Sequence, residues 1–542
     1  MDALFTVPTP KNEPVNTYAP GTPERASLQA KLSELASKEH DLDMFIAGDW
    51  RRGEGEAIKV VQPHKHSHVL GVTHAATSSQ AAQAVAAAKG AKRTWATMDF
   101  ADRASIFLRA AELIAGPYRD ALNAATMLGQ SKSAAQAEID SACELIDFLR
   151  FNVAFAERIY RQQAESSRGM WNRTDHRPID GFVYAVTPFN FTAIAGNLPT
   201  SPALMGNTVV WKPATTQQFA ASFLMEILAE AGLPDGVINM VTGPGPDISD
   251  VVLADPDLGG IHFTGSTRVF QHLWKTVGEN ISSYRAYPRL VGETGGKDFI
   301  VAHPSADLEQ LAVATARGAF EYQGQKCSAV SRTYMPRSLW ENGLRDRLLE
   351  ITSQIKYGDV SDFSNFGGAV IDERAYNKHT ALFKRLADDS EANVIAGGTA
   401  DDSEGYFVQP TVIEATNPEH EVFREEYFGP ITSVYVYDDK DFDSVVRQAA
   451  DVAPYALTGG VFANDREAIA GAMDELRWSA GNFYINDKPT GAVVGQQPFG
   501  GGRGSGTNDK AGSWQNLVRW VSPRSIKENF VPPREWSYPH QG

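Results

Sequence analysis

The sequence predicts an α/β protein built on parallel sheet, and three observations carry that expectation. From Phe182 onward, short apolar β-prone runs (FVYAV, TVVWK, VINMV, IHFTG) alternate with helical ones. This is the pattern of a parallel sheet with helices on both faces. Several runs end in Gly, Pro, Ser or Thr, as ligand-binding strand ends do in such sheets. A second α/β stretch follows, from Phe299 to about Ala480.

The elements follow in order. Residues 1–40 read as an arm and then a helix over Pro23–Lys38. MFIAGDWRRG and AIKVVQP predict short strands with a turn between them. Gln80–Trp95, Asp102–Ile114 and Tyr118–Leu128 are helical, and Ser133–Gln163 is a long helix with apolar residues at helical spacing. Further helices are expected at Asn197–Met205, Phe219–Ala231 and Thr267–Val277. Gly181–Trp211 carries no charge, but Pro188, Pro199 and Pro202 interrupt it. That suits a buried loop system better than a lipid-facing helix.

Composition narrows the function classes. Of 542 residues, 42% are hydrophobic and 21% charged, the balance of an ordinary globular protein. Fifty Lys and Arg against 66 Asp and Glu give a net charge of -16, which disfavours nucleic acid or an acidic membrane as partner. Two cysteines fit a reducing compartment. Met1–Asn16 lacks the apolar core of a signal peptide and the Arg-rich character of a transit sequence, so a cytoplasmic location is expected. His64, His66 and His68 alternate on one side of an expected strand. A metal is one reading, but no Cys or carboxylate joins them, so a solvated strand face is expected and no metal site.

The chemistry centres on QGQKCSAVSR, Gln323–Arg332. A helical run, Ala306–Tyr322, breaks at Gly324, and Ser331–Met335 is β-prone. Cys327 therefore sits at a helix-to-strand turn, where a thiol can face a cleft and act as a nucleophile. Cys143, inside the long helix, reads as an inert structural thiol. Three strand ends suit a dinucleotide: Thr264-Gly265-Ser266 before a helix, Lys212-Pro213, and VTGPGPD over Val241–Asp247. Each alone is equally ordinary β-to-α turn chemistry. Glu293, between glycines at a strand end, can reach into a cleft as a general base. Asn190, in TPFNF, can offer its amide to an oxyanion. Lys326 adjoins the thiol in sequence, though neighbouring side chains often point apart.

TPFNF, VVWKPA, FTGS, GETGGK, QGQKCSAVSR and EEYFGP occur in this order. Together, over about residues 41–530, they resemble the NAD(P)-dependent aldehyde dehydrogenase superfamily. WNRTDHRPIDGFVYAVTPFNF, FEYQGQKCSA and AGNFYINDKPTGAVVGQQPFGGGRGSGTNDKAG resemble its branch that oxidises L-glutamate γ-semialdehyde to glutamate in proline catabolism.

The resemblance implies a Rossmann-type NAD-binding domain (41–159 and 180–294), an α/β catalytic domain (295–500) and a small β oligomerisation element (160–179 and 501–542). It implies that Cys327 attacks the aldehyde, that Asn190 and the Cys327 N–H hold the oxyanion, and that Glu293 activates water. It places NAD at Thr187, Lys212, Gly265 and Ser266, with Glu426 and Phe428 at the ribose and nicotinamide. It places substrate at Ser328 and the Gly491-Ala492 backbone, between the rings of Phe191 and Phe499. Many members carry Glu three residues after the lysine. Here Thr215 stands there, which weakens any inference from that site about NAD over NADP. A homodimer or larger assembly is implied. The proline oxidation step is expected to fall to a separate proline dehydrogenase, with which the chain could associate. Two other readings stay open: oxidation of another carboxylated aldehyde such as succinate semialdehyde, and a non-catalytic scaffold.

Overall fold

A computed structural model describes residues 5–542; the first four residues of the expected arm lie outside the described residues. The alternation after Phe182 builds a seven-stranded sheet. Its order is Arg289–Glu293, Leu258–Thr264, Phe182–Val186, Val209–Lys212, Ile238–Met240, Met44–Ile46 and Asp49–Arg51. The first five strands are parallel, and the hairpin of the last two closes one edge antiparallel. Period-2 alternation divides the side chains between two cores. Phe182, Tyr184 and Val210 pack with helices Ser78–Thr97, Gly245–Ala254 and Thr267–Glu279. Val183, Ala185 and Trp211 pack with Glu144–Tyr160, Thr192–Leu204 and Gln218–Glu230. Strand order reverses between Phe182–Val186 and Leu258–Thr264, which makes the carboxyl ends of these two strands the switch point, the crevice where ligands bind in sheets of this kind.

A second seven-stranded sheet runs Ala392–Ala396, Thr411–Ala415, Ile431–Tyr437, Arg332–Pro336, Phe299–Ala302, Thr458–Phe462 and Asn482–Ile485. Only its first pair is antiparallel. Met170–Pro178 and Val521–Asn529 form a separate antiparallel ladder. Gly502–Arg503 instead pairs with Tyr455–Ala456, and Gly506 bridges to Glu293.

Three local expectations change. The stretch expected to be a buried loop system holds a helix from Thr192 to Leu204, with Pro199 and Pro202 inside it and every residue buried. A helix covered on all sides carries no apolar stripe, so its first residues gave no periodic signal. The long helix Ala134–Tyr160 contains a π turn, Glu138–Cys143. The three histidines do not share an open face. His64 precedes its strand and is buried, with Nδ1 3.1 Å from Ser131 Oγ, while His66 Nε2 meets the Asp402 carbonyl at 2.8 Å. Among the described residues no cluster could hold a metal, and no helix is long and apolar enough to cross a membrane.

Candidate active site

Helix Leu308–Phe320 ends in a left-handed turn longer than one glycine. Tyr322 and Gln323 both have φ +51°, and Gly324 has φ +63°. A Cβ on Gly324 would collide with the Gly429 carbonyl. Left-handed backbone costs a non-glycine residue about 1–2 kcal/mol, so the turn needs external support. Gln323 supplies it. Its Nε2 donates to the Ser131 carbonyl at 3.0 Å and the Ala369 carbonyl at 2.9 Å, and its Oε1 accepts from Gly368 N–H at 2.9 Å.

This turn delivers Cys327 to a narrow cavity of about 50 Å³ rather than to an open cleft; the residue is 9% exposed. Phe191, Ser328, Gly491, Ala492 and Phe499 line the same cavity. Ser328 Oγ lies 2.8 Å from Thr490 Oγ1. Gly491 has φ +83°, the left-handed region that favours glycine. Within the described residues neither its N–H nor that of Ala492 has a hydrogen-bond partner. Asn190 is buried just behind Phe191, and its Nδ2 donates to the Gln325 carbonyl at 3.0 Å. The Cys327 N–H has no partner among the described residues.

Burial pushes the Cys327 thiol up, and Glu293 is the foremost of the carboxylates that add to the effect. Glu293 ends its strand with its carbonyl accepting from Gly265 N–H at 3.2 Å. Burial raises its own carboxyl to about 8. A thiol and a carboxyl close enough to influence each other, both reluctant to ionise, each keep their proton near neutral pH. Lys326 does not supply a counter-charge to the thiol. Its ammonium lies 3.5 Å from Glu321 and 3.8 Å from Asp140.

Sequence reasoning missed the third wall. The π turn inserts one residue into the helix, so Ile139 and Glu144, five apart, both line the cavity with Asp140 and Phe148. Lys132 is fully buried, 2.7 Å from Asp140, with its ammonium over the rings of Phe191 (4.1 Å) and Tyr322 (4.4 Å). Glu144 accepts no hydrogen bond among the described residues, and burial drives its carboxyl well above the usual range, with Asp140 adding to the shift. The π turn has no clear sequence signature, and Lys132 and Phe191 meet only through tertiary folding.

The remaining predicted residues gather at the carboxyl edge of the first sheet. Thr187 N–H donates to the Lys212 carbonyl at 3.1 Å, and Thr187 Oγ1 accepts from the Trp211 indole at 2.9 Å. Lys212 is buried, and burial lowers its ammonium to about 8. It donates to the Pro213 carbonyl at 3.3 Å, and no carboxylate pairs with it among the described residues. Gly265 and Ser266 open helix Thr267–Glu279, which Ser266 caps by accepting from Val269 N–H. A buried ammonium without a counter-charge, with the N-terminus of helix Gly245–Ala254 beside it, that of Thr267–Glu279 two strands away and a left-handed Gly243 (φ +117°), fits a dinucleotide with hydroxyl and phosphate groups. Glu426 and Phe428 come from the second sheet's side. Glu426 Oε1 accepts from Gly296 N–H at 3.1 Å and its carboxyl is raised to about 6 by burial; Phe428 meets the Phe189 ring edge-on at 5.9 Å. Cys143 lies apart, its thiol 3.7 Å from the Pro14 carbonyl, and burial pushes it up, as suits a structural thiol.

A doubly-wound sheet facing a second sheet, with a buried thiol, a buried carboxyl and an amide between them, is the arrangement of an aldehyde-oxidising enzyme. The model of the aldehyde dehydrogenase family matches residues 50–524, and the chain belongs to that family. Within it, the chain is 48% identical over 539 residues to the delta-1-pyrroline-5-carboxylate dehydrogenase of Agaricus bisporus, covering 99% of this chain and 98% of that one. It is 45% identical over 528 residues to the mitochondrial delta-1-pyrroline-5-carboxylate dehydrogenase of Homo sapiens, covering 97% and 93%. The crystal structure of the Mycobacterium tuberculosis delta-pyrroline-5-carboxylate dehydrogenase bound with NAD superposes with a TM-score of 0.96 at 58% identity, covering all of both chains.

Proposed function

We propose that the protein oxidises L-glutamate γ-semialdehyde, the open form of delta-1-pyrroline-5-carboxylate, to L-glutamate with NAD in proline catabolism. The observation that carries the substrate class is the pair of unpartnered N–H groups at Gly491 and Ala492, lining the cavity that Cys327 faces, with Ser328 in the same wall. Backbone donors without partners suit a carboxylate, and a hydroxyl beside them completes the anion site. Glu144, a carboxyl without a hydrogen bond, suits the substrate's ammonium, and the rings of Phe191 and Phe499 suit its methylene chain.

In this reading Cys327 Sγ gives up its proton to solvent and bonds to the aldehyde carbon. The new oxyanion takes hydrogen bonds from the Asn190 amide and the Cys327 N–H. Bound NAD supplies the hydride acceptor. Glu293 then takes a proton from the water that hydrolyses the Cys327 thioester, releasing glutamate and the free thiol. Thr187, Lys212, Gly265, Ser266, Glu426 and Phe428 would hold NAD, Lys212 toward ribose hydroxyls. The first sheet, with the segments at 41–159 and 180–294, would be the NAD-binding domain and 295–500 the catalytic domain. The ladder of Met170–Pro178 with Val521–Asn529 would join subunits. Exposed Trp171, Phe530, Val531, Trp536 and Tyr538 on it and its tail support this, and sedimentation of the full chain tests it. A cytoplasmic location, tested by fractionation, and association with a separate proline dehydrogenase, tested by co-sedimentation, complete the reading.

The decisive assay is NADH formation from pyrroline-5-carboxylate beside succinate semialdehyde. A higher kcat/KM for the semialdehyde of glutamate is expected; the reverse order would overturn the substrate assignment.

A further inference from the structure

The loop that offers Gly491 and Ala492 has no regular secondary structure from Pro489 to Pro498. Its shape must come from contacts made across the fold. Two lie on the nucleophile's side. Lys488 Nζ donates to both oxygens of Glu321 at 2.7 Å, and Thr490 Oγ1 meets Ser328 at 2.8 Å. The far end of the loop is held by a segment distant in sequence, the N-terminal arm. Asn12 Nδ2 donates to the Val494 carbonyl at 2.9 Å and to Asp147 Oδ2 at 2.8 Å, and Asn12 Oδ1 accepts from Gln496 Nε2 at 2.9 Å. One half-buried amide therefore joins the loop to helix Glu144–Tyr160, the helix that presents Glu144 and Phe148 to the cavity.

The arm is itself firmly seated on that helix. Glu13 N–H donates to Asp147 Oδ1 at 2.7 Å, and the Glu13 carboxylate takes Arg119 and Arg150, each at 2.6 Å. Asn16 N–H and the Tyr18 hydroxyl both donate to Glu138 at 2.8 Å, in the π turn. The Val494 side chain is buried and lines the cavity while its carbonyl accepts from Asn12, so Asn12 fixes the backbone of a cavity wall two residues beyond Ala492.

We propose that the N-terminal arm is part of the substrate-recognition apparatus, with Asn12 the positioning residue that sets the Gly491–Val494 backbone for the substrate carboxylate. Asn12 does not touch substrate; it acts through Val494 and Gln496. The inference rests on the reading of Gly491 and Ala492 as the carboxylate donors. Without Asn12 the Val494 carbonyl and Asp147 each lose a donor, and the loop can relax away from its donor geometry. The aldehyde chemistry at Cys327 and the cofactor crevice keep their own supports.

The test is kinetic and direct-binding, on the full chain. Asn12→Ala and Gln496→Ala are each assayed with glutamate γ-semialdehyde and with pentanal, which lacks the carboxylate and ammonium, and L-glutamate binding is measured by calorimetry. The expected result for Asn12→Ala is a five- to tenfold rise, about the size of one or two lost hydrogen bonds, in KM for the semialdehyde and in the Kd of glutamate. Pentanal kinetics and KM for NAD should stay as in the wild type, and Gln496→Ala should give a smaller rise in the same two quantities. Equal losses on both aldehydes would mean that the arm merely stabilises the fold, and unchanged glutamate affinity in both variants would remove Asn12 from recognition. A wild-type enzyme that does not prefer the semialdehyde would instead sink the substrate assignment, an outcome distinct from either.

Discussion

The proposed cofactor crevice and the proposed substrate cavity are built in opposite ways. The crevice is a product of local chemistry. Thr187, Lys212 and Gly265 each stand at the end of a parallel strand, and the next few residues start a turn or a helix. Placing the strands places the residues. The cavity is assembled from a left-handed turn, a π turn and an irregular loop, separated by up to several hundred residues and joined by side-chain clamps such as Thr490–Ser328 and Lys488–Glu321. A cofactor shared across a family suits an edge that the fold supplies directly, whereas a substrate pocket made of loops and clamps can be changed without disturbing the sheet.

Cys327 lines the cavity and Glu293 ends a strand of the first sheet, and changing either should stop turnover whatever the aldehyde. Cys327→Ala removes the proposed nucleophile and should lower kcat/KM by roughly 10⁴-fold or more for every aldehyde. NADH production at the wild-type rate would break the covalent mechanism. Glu293→Gln should cost about 10²- to 10³-fold in kcat, with thioester accumulating on Cys327, detectable by mass spectrometry of the quenched enzyme. The sign of the pH effect follows from its raised carboxyl. The base form exists only above its pKa, so wild-type turnover should climb with pH through about 8, and the glutamine variant should lose that limb.

Smaller effects separate the regions. Lys212→Met removes a buried ammonium from the crevice and should raise KM for NAD roughly 10- to 100-fold, the range of a charge-assisted hydrogen bond, while KM for the semialdehyde holds. Thr490→Val keeps the shape of the loop but removes the partner that orients the Ser328 hydroxyl. KM for the semialdehyde should rise about fivefold with KM for NAD unmoved. A Lys212 variant that altered aldehyde selectivity would erase the division between the two regions.

The same contrast explains what the sequence discloses. Strand ends at Lys212, Gly265 and Glu293 are visible in a single chain because each depends on a run of a few residues, and Cys327 is visible as a rare residue at a turn. Phe191, Ser328, Gly491 and Phe499 were reached through resemblance, since nothing local ties Phe191 to Phe499. Glu144, Asp140 and Lys132 escaped both routes. Their charges look like ordinary helix charges until the fold buries Lys132 between Phe191 and Tyr322. The helix Thr192–Leu204 escaped in part for a related reason: burial on every side removes the periodicity by which helices are found.

The π turn at Glu138–Cys143 makes the cavity's composition a matter of counting as much as of residue identity. Each residue of a helix advances about 100° around the axis. Drawing the same residues into a regular helix would set Ile139 and Glu144, five apart, about 140° from each other. Ile139 would then leave the face that carries Asp140, Glu144 and Phe148, which stand four residues apart. A change in winding, with no change in charge or hydrophobicity, would give the pocket a different wall. Substitutions that straighten this turn are therefore a route by which the same scaffold could come to accept a different aldehyde.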